Sequence, residues 1–228
     1  MFTKATLNFL VDVSLNNNRE WFDVNRQRYE DEVREPAFAF IRAVEPHLHA
    51  VSPHFTAIAK KSGGSLMRIF RDTRFGKDKR PYKTNVGIQF RHEAGKDVHA
   101  PGFYIHLDPD EGCFMGAGIW GPDSPTLLAI RTAIDQNQDE FVKVRDGKKF
   151  RARFEVSDHG QSLKTAPKGF PKDHPLIVDL RMKHHIATAK LDPETDLFGE
   201  AGVETVAGLL KLSTDYVRFL TEATGNPF

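Results

Sequence analysis

Cysteine is almost missing from this chain. Cys113 is the only one in 228 residues. No disulfide can form within the chain, no thiolate cluster can hold zinc or iron, and a reducing compartment is the expectation. Small buried cysteines outnumber nucleophilic ones, so Cys113 reads as a core residue. Long apolar runs are also lacking. The nearest approach, Leu7 to Val13, is broken by Asp12 and followed by Asn16-Asn17-Asn18, which suits neither a signal peptide nor a membrane span and makes cytoplasmic residence the expectation. Low-complexity stretches, internal repeats and single-sign tracts are absent as well. With 39% hydrophobic and 28% charged residues, the composition excludes a disordered or fibrous chain. At this length one α+β domain over residues 1–228 is expected.

Net charge is nearly absent too, at +1, which removes the strong global bias of a typical polyanion binder. The charge that is present is unevenly placed. Arg68, Arg71, Arg74, Lys77, Lys79, Arg80 and Lys83 face only Asp72 and Asp78 in their own stretch, a local excess of five positive charges. From Asp192 onward, seven acids stand against Lys211 and Arg218.

Periodicity divides the chain into helical ends and a sheet-rich middle. Leu7, Leu10 and Val11 share helical spacing, and the three asparagines supply a stop and a cap for a second helix. In that helix Trp21, Phe22, Tyr29 and Val33 recur at the right interval, Pro36 interrupts, and Phe38, Ile41, Val44 and Leu48 resume it. Leu66 to Phe75 reads as a strand with neither parity wholly apolar. After a loop at Gly76 to Pro81, Thr84, Val86, Ile88 and Phe90 alternate with Asn85, Gly87, Gln89 and Arg91. Phe103, Ile105 and Leu107 oppose Tyr104, His106 and Asp108 in the next strand. A turn at Asp108 to Gly112 returns the chain as Cys113 to Trp120, where Gly116 and Gly118 imply a close backbone approach. A mainly antiparallel central sheet follows. Ser124-Pro125 predicts a helix start with Ser124 as cap and Leu127, Ile130 and Ile134 as its buried stripe. Residues 137–160 read as a mixed segment, Ala166 to Pro171 as a structured loop, Pro175 as opening a turn into Leu176 to Arg181, and Thr205 to Thr224 as a closing helix.

The chemistry concentrates in the cationic stretch. A buried guanidinium needs an anion, a carboxylate or solvent. Arg68, Asp72 and Arg74 share one strand parity, which suits Asp72 to orient both arginines as a fork for an anion. The leading expectation is therefore a phosphate- or carboxylate-bearing small ligand held by Arg68, Arg71, Arg74, Lys77, Lys79 and Lys83, with Tyr82, Tyr104 and Trp120 shaping the pocket. His106, on the polar parity of its strand, is the candidate for proton transfer, and Asp72 the second candidate catalytic group. A nucleic-acid module is the alternative, because Phe70, Phe75 and Tyr82 interleave with the cations, although eighteen phenylalanines make interleaving common. A third is a protein-interaction domain whose basic hairpin docks an acidic partner or the acidic C-terminal segment. His92, His99, His184 and His185 form no metal-ligand pair such as HExxH, no metal is expected, and the sequence leaves the cofactor open. Lys164, Lys168, Lys172, Arg181 and Lys183 make a second basic set.

Several segments together resemble one family. Asn17-Asn18-Arg19-Glu20-Trp21-Phe22, Arg68 to Phe75, Lys77-Asp78-Lys79 and Pro81-Tyr82-Lys83-Thr84 are similar to the hallmark segments of a widespread family catalogued as domain of unknown function 2461. Gly102-Phe103-Tyr104, His106-Leu107, Gly116 to Trp120, Ala166 to Phe170, His174-Pro175 and Asp179-Leu180-Arg181 with Lys183 extend the resemblance over nearly the whole chain. It implies a single α+β domain and supplies no mechanism. His184-His185 depart from its pattern and take no role from it.

Overall fold

A computed structural model describes residues 1–74, 76–95 and 99–228. α1 (Lys4–Leu15) begins where the Ala5 amide donates to Thr3 Oγ1, and it buries Phe9, Leu10 and Val13; Val11, expected on that face, is instead 40% exposed. Asn16 closes α1, and Asn18 caps α2 (Arg19–Val24) by accepting from the Trp21 amide at 2.9 Å, so the asparagine run does divide two helices. α3 (Arg26–Tyr29) passes through a π-helical turn, Glu30–Arg34, into α4 (Glu35–Val51). Pro36 does not interrupt the helix as its sequence position suggests. It stands in the first turn of α4, where a missing N–H breaks few helical bonds, and the wide turn just before it absorbs the irregularity.

The sheet consists of β1 (Phe55–Thr56), β2 (Val86–His92), β3 (Gly102–Leu107), β4 (Cys113–Ile119), β5 (Glu155–Ser157) and β6 (His185–Leu191), in the order β1-β2-β3-β4-β6-β5 with every pairing antiparallel. The fold is thus α+β, as the sequence implied. The alternation read in β2 and β3 holds: Val86, Ile88, Phe90, Phe103, Ile105 and Leu107 turn into one core. Between β4 and β6 lie α5 (Ser124–Gln136), α6 (Gln138–Asp146), α7 (Lys148–Arg151) and α8 (Ile177–Arg181); α9 (Pro193–Asp196) and α10 (Gly199–Ala223) follow. α10 packs on α4 and β4, so the helices cover the core face of the sheet. Asp123, not Ser124, caps α5 by accepting from the Thr126 amide, and the helix stripe includes buried Ile130 and Ile134. Buried Arg131 of α5 donates to the Leu180 and Met182 carbonyls, and Arg145 of α6 ties to Asp179 and Asp146. No helix among the described residues is long and apolar enough to cross a membrane.

The expected strand at 66–75 is not one. Leu66 bridges Ile88 and Phe70 bridges Tyr82, and these are isolated contacts within an otherwise irregular extended segment; Phe75 lies outside the described residues. The cause is local. Asp72 Oδ1 accepts from the Arg74 amide and Asp78 Oδ1 from the Arg80 amide, so two aspartate turns satisfy backbone donors that a strand ladder would need. What remains is a hairpin, with the Arg71 amide donating to Pro81 O and the Lys83 amide to Ile69 O. The hairpin docks on the N-terminal helices. The Asn17 side chain donates to Tyr82 O and accepts from the Tyr82 amide, both at 3.0 Å, while the Phe22 ring stacks on Tyr82 at 4.1 Å.

Candidate functional site

With the helices on one face, the residues of opposite parity line the other. A cleft of about 410 Å³ runs across that face, within the range of pockets that hold small molecules. Gln89 from β2, Tyr104 and His106 from β3, Phe114 and Gly116 from β4, and Ile186 and Thr188 from β6 form its floor and sides, with Met67 and Trp120 at its margins. A larger hollow of about 550 Å³, walled by Ala94, His99, Gly121 and Asn226, contains none of the clustered polar groups found in the cleft.

Two glycines make the cleft possible in different ways. A Cβ on Gly87 would lie 2.7 Å from Tyr104 Oη, so glycine there is what lets the Tyr104 ring lie across β2. A Cβ on Gly116 would meet only ordinary neighbours, at 3.8 to 4.0 Å, and neither packing nor backbone conformation demands glycine. Its effect is to leave the centre of the floor open, between Tyr104 and Thr188 on the flanking strands. Glycine inside a strand costs roughly 0.5–1 kcal/mol relative to alanine, so the opening comes with a stability penalty.

The polar centre is Tyr104 with His106. Two residues apart on β3, they point the same way, and Tyr104 Oη lies 2.9 Å from His106 Nδ1, with Asn85 Nδ2 at 3.4 Å from the same nitrogen. Burial lowers the imidazole pKa, against the opposing fields of Asp108 and Glu111, and burial raises the Tyr104 hydroxyl to about 12, helped by Asp108. Near neutral pH the hydroxyl donates to a neutral ring at Nδ1. The ring proton then rests on Nε2, which has no hydrogen-bond partner among the described residues and faces Asp108 Oδ2 at 3.9 Å. Asp108 is itself fixed, because its Oδ1 accepts from the Asp110 and Glu111 amides. Such a pair can accept or donate one proton to a bound molecule.

Trp120, 42% exposed, walls the other end. It stacks on His184 at 4.1 Å with an interplanar angle of 4°, and His159 packs against its edge with a backbone φ of 48°, a left-handed conformation costly for a non-glycine residue. The Gly121 amide donates to His184 Nδ1, which holds that ring under the tryptophan.

The expected site residues thus divide. Tyr104, His106 and Trp120 come together in the cleft. Asp72 does not; it lies exposed in the hairpin, where Arg74 donates to both its oxygens and holds its carboxyl down at about 2. Arg71 and Arg80 both bind Asp78, and Lys79 donates to Thr73 O. Lys77 is exposed at the hairpin tip, and Tyr82 is buried against Phe22 rather than lining the cleft. Arg68 and Lys83 stand apart. Neither has an ion-pair partner among the described residues, and half-buried Lys83 has its pKa lowered by burial and by the charge of Arg68. Of the second basic set, Arg181 donates to Leu163 O, and none of its members lines the cleft. Sequence reasoning passed over Met67, Asn85, Phe114, His159 and Thr188. The β4 glycines were the available signal: the close approach read there holds at Gly118, whose Cβ would lie 2.0 Å from His185 O, whereas Gly116 leaves space.

Fold and site define an α+β protein with a helix-covered antiparallel sheet and an aromatic cleft on the sheet's uncovered face. The chain belongs to the family described as "Conserved hypothetical protein (DUF2461)", whose model matches residues 5–219. Neither the curated proteins nor the solved structures yield a match. Two of the hallmark segments meet in the fold, since Asn17 and Phe22 of the segment at 17–22 dock Tyr82 of the segment at 81–84.

Proposed function

We propose that the protein binds a small flat organic molecule bearing a carboxylate or phosphate in the uncovered-face cleft. The observation that carries this reading is Gly116, a mid-strand glycine that nothing in the packing requires and that keeps the cleft floor open. Phe114 and Trp120 supply flat apolar surface, which suits a ring, and Gln89, Tyr104, His106 and Thr188 supply hydrogen bonds that fix its orientation. The acidic group is assigned to Arg68 and Lys83. Neither lines the cleft, so the acidic group would have to reach past Met67 at its margin, and a half-buried lysine pressed by a second cation gains most from an anion between them. His106 would exchange a proton with the bound molecule through Tyr104 Oη, because its Nδ1 is hydrogen-bonded to that hydroxyl and its Nε2 is buried. A nucleic-acid reading draws less support, because Arg71, Arg74 and Arg80 already hold aspartates and Tyr82 is buried.

Ligand-observed NMR with a panel of aromatic carboxylates, nucleoside monophosphates and the corresponding neutral amides and nucleosides tests the reading. Acids should bind the wild type, Gly116→Val should abolish binding at a melting temperature no lower than the wild type's, and Lys83→Met should weaken the acids while sparing the neutral analogues. Equal binding by wild type and Gly116→Val, or no hit at all, overturns it.

A further inference from the structure

We propose that His106, Asp108 and Glu111 form a binding site for one divalent transition-metal ion at the end of the cleft. One ligand atom from each lies within 4.8 Å of the others. His106 projects from the end of β3, and the turn that follows brings Asp108 and Glu111 round to the same side. The cluster differs from a chance group of surface acids in two respects. The Asp108 side chain is only 6% exposed, and its Oδ1 is consumed by the Asp110 and Glu111 amides, so the second oxygen is held in a fixed place. His106 Nε2, buried and without a hydrogen-bond partner among the described residues, is aimed at that oxygen from 3.9 Å. A buried ring nitrogen facing a carboxylate at a distance too long for a hydrogen bond is an unfilled donor–acceptor pair of a kind folded proteins rarely keep.

An ion satisfies both groups. Metal–ligand bonds of about 2.0–2.2 Å bring ligand atoms to about 3–3.5 Å of one another, so closing the triad requires movements of roughly an ångström, most of which the exposed Glu111 can make. The other ring nitrogen is already supported. When Nε2 binds metal, Nδ1 carries the proton and donates to Tyr104 Oη at 2.9 Å, the arrangement in which a neighbouring oxygen fixes the ring of a metal-bound histidine. One imidazole and two carboxylates favour ions such as Zn²⁺ or Mn²⁺ over Ca²⁺ and Mg²⁺, which prefer oxygen alone. Three protein ligands leave positions for water, and His106 lines the cleft, so those positions are within reach of whatever occupies it.

Calorimetric titration of the chelator-stripped full chain with ZnCl₂ and MnCl₂, alongside NMR of the histidine rings, tests this site. One equivalent of ion should bind, with the His106 ring signals shifted by Zn²⁺ and broadened by Mn²⁺, and excess Ca²⁺ or Mg²⁺ should not compete. Asp108→Asn retains the Oδ1 acceptor for the turn, and Glu111→Gln alters an exposed residue, so both variants should fold. Each should weaken binding by about ten-fold or more. Binding with unmoved His106 signals, unchanged affinity in both variants, or no saturable binding overturns the proposal. Gly116→Val should leave metal binding intact, so failure of the small-ligand reading and failure of the metal site can be told apart.

Discussion

His185 is the residue whose chemistry is most at odds with its surroundings. It is fully buried on the helix side of β6, both ring nitrogens lack a partner among the described residues, and burial, with the nearby Arg131 and His184, holds its pKa down at about 3. The folded state therefore keeps the ring neutral, whereas the unfolded chain takes up a proton near pH 6.5. Stability on this account is flat above that pH and falls as the pH drops from about 6.5 towards 3, by up to about 1.4 kcal/mol per pH unit. Replacing the ring with leucine removes both the unpaired nitrogens and the titration. Urea denaturation at pH 7 and pH 5 should show His185→Leu losing about 1–2 kcal/mol less than the wild type over that interval. Parallel losses in the two proteins would mean that His185 is not what senses acid. The Cys113 thiol, also buried and raised in pKa by that burial, fits the inert core role that its scarcity implied.

At the scale of elements, the hairpin shows where sequence reasoning succeeds and where it stops. The alternation that identified β2 and β3 was legible because one face of each strand is buried by helices, so apolar residues recur with period two. The segment at 66–74 carries mixed parities because its order comes from Asp72, Asp78 and a docking partner some 65 positions away, as in the Asn17–Tyr82 pair, and no local period can record that. β5 and β6 stayed hidden for another reason. β6 faces the cleft with Ile186 and Thr188 and the core with His185, Ala187 and Ala189, which blurs its alternation. The cleft was half legible, since Tyr104, His106 and Trp120 were singled out, while its other walls come from strands that meet only in the fold. The docking makes a testable claim. Asn17→Ala removes two hydrogen bonds to the Tyr82 backbone and should cost about 1–3 kcal/mol. Amide exchange at Arg71 and Lys83, whose N–H groups close the hairpin, should accelerate in the variant while β3 and β4 amides keep their protection. Unchanged exchange at both amides would show that the hairpin holds itself together without the helices.

For the whole molecule, the decisive asymmetry is that helices cover one face of the sheet and leave the other to the cleft, so the edges must be secured by other means. On the β5 side the sheet ends in a strand of three residues, too short to recruit another chain. On the β1 side the chain's last residues do this work. The Pro227 carbonyl lies 2.8 Å from buried His92 Nε2, Phe228 meets Phe55 edge-on at 5.7 Å, and the Arg218 guanidinium lies 5.0 Å over the Phe228 ring. Phe55 in turn packs on Phe103 of β3, so the contact reaches from the C-terminus through the edge strand to the centre of the sheet. Deleting Asn226 to Phe228 should therefore destabilise the protein by about 2–4 kcal/mol, the cost of losing a partly buried aromatic and one hydrogen bond to a buried ring. The effect should be polarised. Amides of β1 and of the His92 end of β2 should lose protection first, and the Tyr104–His106 pair two strands further in should keep its geometry, so metal titration of the truncated chain should match that of the full one. A truncation that lowers stability evenly across the sheet would indicate that the C-terminus braces the core as a whole and that the edge has no separate mode of opening.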